Sequence, residues 1–168
     1  MFAARKLKLN ELEKQCSEFL KTKITKDNVA KFTEEALQFD SKDCTAICLD
    51  YFESNTKGVI ESENFLKISA AVLGKLCESD KINCTHVELF LACIEWAKEE
   101  CKRNGTGTSP EDLRLALGEV LPKIKFSQMT LEEVMKNVVP TYVLTNESLG
   151  KIIYDLEKSP NVTVSLFS

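Results

Sequence analysis

Seven cysteines and a single histidine are the residues of this chain whose side chains could carry nucleophilic or metal chemistry. His86 lies two residues after Cys84, and a cysteine paired with a histidine, here Cys84 or Cys44, can act as an activated nucleophile. A catalytic site also needs a third group that orients the base, and no motif supplies one. His86 falls in the first turn of a predicted helix beside polar residues, so we expect a surface or capping histidine and no enzyme.

One cysteine pair has a spacing that metal sites use. Cys44 and Cys48 are one helical turn apart, as two zinc ligands can be. Two further ligands would have to come from scattered residues, and both cysteines fit the apolar face of one helix. Packing as small hydrophobic side chains is therefore the favoured interpretation. No glycine-rich phosphate-binding motif occurs either, so we expect no metal and no other cofactor.

The composition indicates a reducing compartment and disfavours two classes of partner. Seven is an odd number of cysteines, and most fall at apolar helical positions, so we expect free thiols in a cytoplasmic or nuclear protein. The net charge of −4 comes without a basic stripe, which argues against nucleic acid. No window approaches the roughly 18 apolar residues of a membrane-spanning helix, and residues 1–14 lack the apolar core of a signal peptide.

Apolar side chains recur at helical spacing along nearly the whole chain, which predicts an all-α fold. One such stripe, along one face of a helix, consists of Leu9, Leu12, Cys16, Phe19 and Leu20. Short links between successive helices favour antiparallel helical hairpins. We therefore expect a bundle of about nine helices and no sheet.

Polar residues with capping oxygens mark where several of these helices begin. The predicted capping residues are Ser41, Ser69, Ser109, Thr130 and Thr145. A proline and two acids follow Ser109, and a glutamate stands three residues after Thr130, as in a capping box.

Residues 85–103 hold the only tryptophan, Trp96, in a helix that is apolar on nearly every side for two turns. Residues 87, 90, 91 and 94 make one apolar face, and residues 89, 93, 96 and 97 make an adjacent one. Two apolar faces need neighbours on both sides. The pattern therefore predicts the buried central helix of a domain rather than a helix that lines a pocket.

Several stretches resemble, in order and spacing, the BACK domain of BTB–BACK proteins. AARKLKLNELEKQCSEFL resembles the last BTB helix running into BACK, and NVAKFTEEALQFDSKDCTAICLDYFESNT resembles the helical pair called the 3-box. The resemblance continues through SDKINCTHVELFLACIEWAKEEC and LGEVLPKIKFSQMTLEEV and covers residues 3–158. It is strongest to those BTB–BACK proteins in which a PHR β-domain follows BACK.

The resemblance implies a non-catalytic spacer and interaction module in a substrate adaptor for a cullin-RING ubiquitin ligase. In this family the BTB domain dimerises and holds the cullin, the 3-box extends that contact, and BACK spaces a substrate-binding domain. Carried over by position, Asn28, Val29, Phe32 and Phe39 are candidates for cullin contact. The alternative is internal packing of the helical pair, which helical spacing favours for the two aromatic residues. A second hypothesis is a helical interaction scaffold that binds a partner without any cullin.

The same resemblance divides the chain into three parts. Residues 1–24 correspond to the terminal BTB-like helix, residues 25–158 to the 3-box and BACK, and residues 159–168 to a linker or the start of a following β-domain. Only the edge of a BTB fold is in the sequence, and no PHR or Kelch domain is. We therefore expect dimerisation and full cullin contact to need an upstream BTB domain, and capture of a ubiquitylation substrate to need a further domain.

Overall fold

The computed structural model describes the backbone of residues 2–158 and the side chains of residues 11–158, and every regular element in that part of the chain is helical. The predicted all-α fold is confirmed, with eight α-helices joined by short 3-10 segments. Contacts divide the chain into two compact units, one ending at Asn83 and the other beginning at Cys84. None of the described helices combines the length and apolarity needed to cross a bilayer.

The predicted three-part division stays a prediction. Its last part, residues 159–168, lies outside the described residues.

The N-terminal unit consists of four α-helices. They are α1 (Phe2–Lys23), α2 (Val29–Gln38), α3 (Lys42–Ile60) and α4 (Ala70–Glu78). Helices α2 and α3 form a helical hairpin, α1 packs on α3, and α4 contacts both members of the hairpin. The tight link of the hairpin places Asp40 at a φ of 51°, a left-handed conformation that aspartate tolerates better than most residues.

Polar bonds between distant residues hold the N-terminal unit together. Glu34 of α2 accepts a 2.6 Å hydrogen bond from the backbone N–H of Ser69, which begins α4. Glu53 of α3 accepts a 2.6 Å bond from the hydroxyl of Ser79, at the other end of α4. Because one end of α4 is bonded to α2 and the other end to α3, α4 helps to fix the position of α2 relative to α3.

The C-terminal unit is built on α5 (His86–Asn104), α6 (Pro110–Leu117) and α8 (Asn146–Glu157). Between α6 and α8 the chain forms short 3-10 segments and α7 (Leu131–Glu133), which continues as a π-helical turn over Val134–Val138. Capping boxes open three of these helices, at Thr85, Ser109 and Thr130. The predictions at Ser109 and Thr130 are confirmed, and so is the cap at Thr145, whose hydroxyl accepts from Ser148 N.

The loop between α5 and α6 is exposed, but at Gly107 its backbone lies close to the side chain of Asp112. Gly105 ends α5 in a left-handed conformation, with φ of 68°. A Cβ atom on Gly107 would lie 2.7 Å from Oδ2 of Asp112. That carboxylate is part of the α6 capping box, because it accepts hydrogen bonds from the N–H and the hydroxyl of Ser109.

Trp96 lies in the interior, with only 1% of its surface exposed. Around it the buried side chains of α5 form a continuous band made of Leu89, Phe90, Cys93, Ile94, Ala97 and Cys101. Within its unit, α5 packs against α6 and against the π-helical turn, and the Phe90 ring meets the Phe126 ring edge to face at 5.7 Å. The predicted burial of the helix is confirmed, except that Leu91, expected on an inward face, is 42% exposed.

Candidate partner-binding groove

The apolar stripe of α1 does not face a core. Leu12 is 57% exposed, Phe19 is 62% exposed and Cys16 is exposed as well, whereas Leu20 is buried. The side chain of Leu9 lies outside the described residues. The predicted helical stripe is present, but helical spacing identifies an apolar face and not whether another element covers it. Among its described members only Leu20 is buried.

A groove of about 730 Å³ lies in the N-terminal unit, and one of its walls includes Leu12, Cys16, Phe19 and Leu20 of α1. The other wall is α2, where Phe32 is half-buried, and the C-terminal end of α2 adds Phe39, which is 77% exposed. The complete lining is Leu12, Glu13, Gln15, Cys16, Phe19, Leu20, Phe32, Glu35, Ala36, Phe39, Ser41 and Cys44. Contiguous exposed apolar side chains of this kind mark surfaces that bind another molecule.

Asn28 positions α2 against α1. Its Oδ1 accepts a 2.7 Å hydrogen bond from the N–H of Thr25, and its Nδ2 donates a 2.8 Å bond to the carbonyl of Lys23, the last residue of α1. Asn28 occupies the N-cap position of α2 but makes no side-chain bond to the first turn of that helix. Its amide therefore ties together the ends of the two helices that form the groove walls.

Ser41 makes a second tie at the groove. It occupies the N-cap position of α3, as predicted, but its side chain makes no capping bond. Instead its hydroxyl donates a 3.0 Å hydrogen bond to a carboxylate oxygen of Glu13 on α1. The predicted capping role was wrong, because the bond to Glu13 holds the hydroxyl toward α1 and away from the first turn of α3.

The charges of the groove lining are negative. Its two ionisable carboxylates belong to Glu13 and Glu35, and no lysine or arginine is part of it. Lys31 lies nearby, with its Nζ 3.9 Å from Oε1 of Glu35, but both side chains are exposed and such pairs contribute little. The groove therefore presents apolar surface with an acidic margin.

Two cysteine thiols belong to the groove, and a third lies just beneath. Cys16 is exposed and Cys44 is half-buried, with its sulfur 3.7 Å from the hydroxyl oxygen of Ser17. Cys48, one turn further along α3, is buried. Burial raises the pKa of Cys48 to about 11, and the nearby Cys44 adds to that rise while a hydrogen bond with Thr33 opposes it. The thiol of Cys48 is therefore protonated at neutral pH and unreactive.

The described residues offer little that resembles a catalytic or metal centre. No group of three or more His, Cys, Asp or Glu side chains among them is arranged to hold a metal ion. His86 is the first residue of α5 and is half-buried, which fits the helix-start position predicted for it.

Two of the four residues predicted to contact a cullin line the groove, namely Phe32 and Phe39. Val29 has no exposed surface, and the amide of Asn28 is engaged in the turn, so packing and turn formation account for these two. Sequence reasoning missed the contribution of α1, because its exposed stripe has the spacing of a core-facing helix. The run of large apolar residues on α1 was the available signal.

The described residues form an all-α fold whose N-terminal unit has an open apolar groove. The family model described as BACK, "BTB And C-terminal Kelch", matches residues 29–139, which is more than half of the chain. The chain therefore belongs to the BACK family, as the resemblance implied.

The relatives of the chain are BTB/POZ domain-containing proteins. It is 28% identical over 162 residues to BTB/POZ domain-containing protein 6 of Mus musculus, which covers 95% of this chain and 30% of that protein. It is 29% identical to BTB/POZ domain-containing protein 6-B of Danio rerio, over 88% of this chain and 30% of that one. To BTB/POZ domain-containing protein 3 of Homo sapiens it is 26% identical, over 96% and 31%. The chain thus spans about a third of the length of these relatives.

Proposed function

We propose that this chain is a non-catalytic interaction and spacer module of a substrate adaptor for a cullin-RING ubiquitin ligase, acting in the cytoplasm or nucleus. Membership of the BACK family supports an adaptor-like module. The observation that carries the cullin part of the proposal is the groove, because α2, which forms one of its walls, belongs to the helical pair that resembles a 3-box. In this proposal a BTB domain of the whole protein makes the main cullin contact and dimerises, and another domain binds the substrate.

The physical argument is that the groove is an unfilled apolar surface on a well-supported frame. Phe19 and Phe39 would lose most of their exposed apolar area on contact with a partner, and buried aromatic anchors dominate the energetics of many interfaces. The acidic margin favours a partner segment that carries a basic residue beside its apolar side chains. The rest of the module contributes geometry, because rigid helices fix the distance between two binding sites and so set the effective concentration of what they hold.

The proposal is tested by measuring binding to a cullin N-terminal domain by isothermal titration calorimetry. The protein is used as the 168-residue chain and as the same chain fused behind a BTB domain. We expect Phe39→Ser to weaken binding of the fused form about tenfold or more, because it removes a central aromatic contact. The matched control is Leu115→Ser, which changes an 80% exposed apolar residue of α6 in the other unit and should leave the affinity unchanged.

Each result has a definite meaning. A folded BTB fusion that fails to bind any cullin would contradict the adaptor proposal and leave a helical scaffold that binds another partner. Equal affinities of Phe39→Ser and wild type would show that a cullin is bound elsewhere than in the groove.

A further inference from the structure

Tyr142 combines an unfavourable backbone conformation with an exposed aromatic ring. Its φ of 52° and ψ of 17° lie in the left-handed region, which is uncommon for a residue with a bulky side chain. Its side chain is exposed, with 69% of the residue surface open to solvent, so packing of the ring does not account for the conformation. Strained residues of this kind persist only where the surrounding structure imposes them, and they concentrate at functional sites.

Arg114 of α6 holds the backbone at Tyr142 in place. Its Nε donates a 2.7 Å hydrogen bond to the carbonyl of Val143, and its Nη2 donates a 3.1 Å bond to the carbonyl of Tyr142. Val143 has no exposed surface, which fixes one side of the turn in the core. On the other side the N–H of Tyr142 donates to the carbonyl of Val139. Residues 139–143, which we call the Tyr142 turn, are therefore held from both directions with the ring outward.

The guanidinium of Arg114 keeps donors and a charge that the Tyr142 turn does not use. The two carbonyls take Nε and one N–H of Nη2, so Nη1 and the second N–H of Nη2 form the outer edge of the group. Arg114 is half-buried, and no carboxylate of the described residues forms an ion pair with it. The planar edge of an arginine can bind a carboxylate through two parallel hydrogen bonds. Arg114 is therefore suited to bind a carboxylate of another molecule.

We propose that Arg114 and the Tyr142 turn form a second protein-interaction surface, which binds a partner segment that carries an aspartate or glutamate beside an apolar side chain. The outer edge of the guanidinium takes the carboxylate, and the Tyr142 ring covers the apolar side chain. Tyrosine and arginine are both enriched among the residues that dominate the binding energy of protein interfaces. This surface is separate from the proposed cullin contact and does not depend on it.

Charge complementarity decides which kind of partner the Tyr142 turn takes. Residues 139–143 include no acidic residue, and the charged group bonded to them is the cation Arg114. The groove of the N-terminal unit has the opposite character, because its lining contains two carboxylates and no lysine or arginine. An acidic segment is therefore attracted to the Tyr142 turn and disfavoured in the groove.

The strained backbone allows stability and binding to be separated by one substitution. Asparagine adopts the left-handed conformation more readily than tyrosine, so Tyr142→Asn should leave the melting temperature unchanged or raise it. The same substitution removes the aromatic ring and should weaken the binding of a partner. A ring that served only the fold would give the opposite pair of results.

The test selects ligands for the whole 168-residue chain from a random peptide library displayed on phage. We expect one class of enriched peptides to share an aspartate or glutamate next to a leucine or an aromatic residue. Peptides of this class are then synthesised, and fluorescence anisotropy measures their affinity for the wild-type chain and its variants.

Tyr142→Asn and Arg114→Gln should each weaken an acidic peptide about tenfold. The matched control is Tyr154→Asn, which changes another exposed tyrosine of the same unit and should leave the affinity unchanged, as should Phe39→Ser in the groove. Added salt should weaken binding to the wild-type chain more than binding to Arg114→Gln, because salt screens the contact between arginine and carboxylate.

The absence of an acidic class among the enriched peptides would overturn the proposal, and so would equal affinities of the wild-type chain and Tyr142→Asn. A clearly lowered melting temperature of Tyr142→Asn would also count against it, because the ring would then support the fold. No cullin takes part in these measurements. An acidic peptide class that depends on Tyr142 would therefore support this surface even if the adaptor proposal failed.

Discussion

The two units of this protein treat their large apolar residues differently. In the C-terminal unit the largest of them, Trp96, is 1% exposed and lies in a continuous buried band on α5. In the N-terminal unit Leu12, Phe19 and Phe39 are each more than half exposed, and all three line one groove. Both units bury some large apolar side chains, such as Phe52 in the N-terminal unit, and both expose others, such as Leu115 in the C-terminal unit. What distinguishes the N-terminal unit is that three of its exposed apolar side chains line one groove.

The two helices that begin at the groove differ from those of the C-terminal unit, although Ser69 in the N-terminal unit caps α4 as predicted by accepting a hydrogen bond from Val72 N. Three capping boxes open helices of the C-terminal unit, where the side chains satisfy the free N–H groups of the first turn. In the N-terminal unit Asn28 and Ser41 occupy N-cap positions, but their side chains bond elsewhere. The Asn28 amide bonds to Lys23, the last residue of α1, and to Thr25 in the link that follows, and the Ser41 hydroxyl bonds to Glu13 of α1. Local helix stabilisation is given up at the groove in favour of bonds that position its walls.

The sharpest test of the comparison is Trp96→Ala. We expect this substitution to lower the free energy of unfolding by about 3–5 kcal/mol, because it empties a large volume in a buried band. Urea unfolding followed by circular dichroism measures the change, and Leu115→Ala, at an exposed position, is the control. A loss below about 1 kcal/mol would mean that the indole ring is not enclosed as described.

A smaller effect is expected from the helix caps. Thr85→Ala removes one half of a capping box and should cost about 1 kcal/mol. Ser41→Ala removes an exposed bond to Glu13 instead, for which water can substitute, and should cost about 0.5 kcal/mol. Comparable urea titrations of the two variants would reveal the difference, and an equal or larger loss at Ser41 would contradict the distinction between the units.

The smallest change in stability is expected in the groove itself. Phe39→Ser should alter the free energy of unfolding by no more than about 0.5 kcal/mol, because the ring is 77% exposed and contributes little packing. Thermal unfolding with the Phe39→Ser and Leu115→Ser variants side by side checks this expectation. A strongly lowered melting temperature for Phe39→Ser alone would indicate that the ring supports the fold rather than a partner contact.

Periodicity predicted the helices, and the reason is visible in particular residues. Ser109 and Thr130 begin helices where their capping patterns predict. Trp96 is buried, as the two adjacent apolar faces of α5 predict. The groove could not be predicted in the same way. The stripe with Leu12 and Phe19 has the spacing of a core-facing helix, and only the positions of the other helices decide that nothing in the described chain covers it.

The partner that a polar side chain bonds to was equally hard to predict. Ser41 has the residue type and position of an N-cap, yet its hydroxyl bonds to Glu13, which is far away in sequence. Such a choice depends on a tertiary contact that no local pattern contains. For the same reason, the sequence left both cullin contact and internal packing open for Val29, Phe32 and Phe39, and only the fold shows that Val29 is fully enclosed.

Gly107 shows that solvent exposure is a poor guide to how freely a position can vary. Any side chain there would collide with Asp112, and the cost would be felt as a loosened start of α6. Natural variants and engineered tags should therefore accumulate at other positions of the α5–α6 loop, while Gly107, like the left-handed Gly105, keeps its glycine.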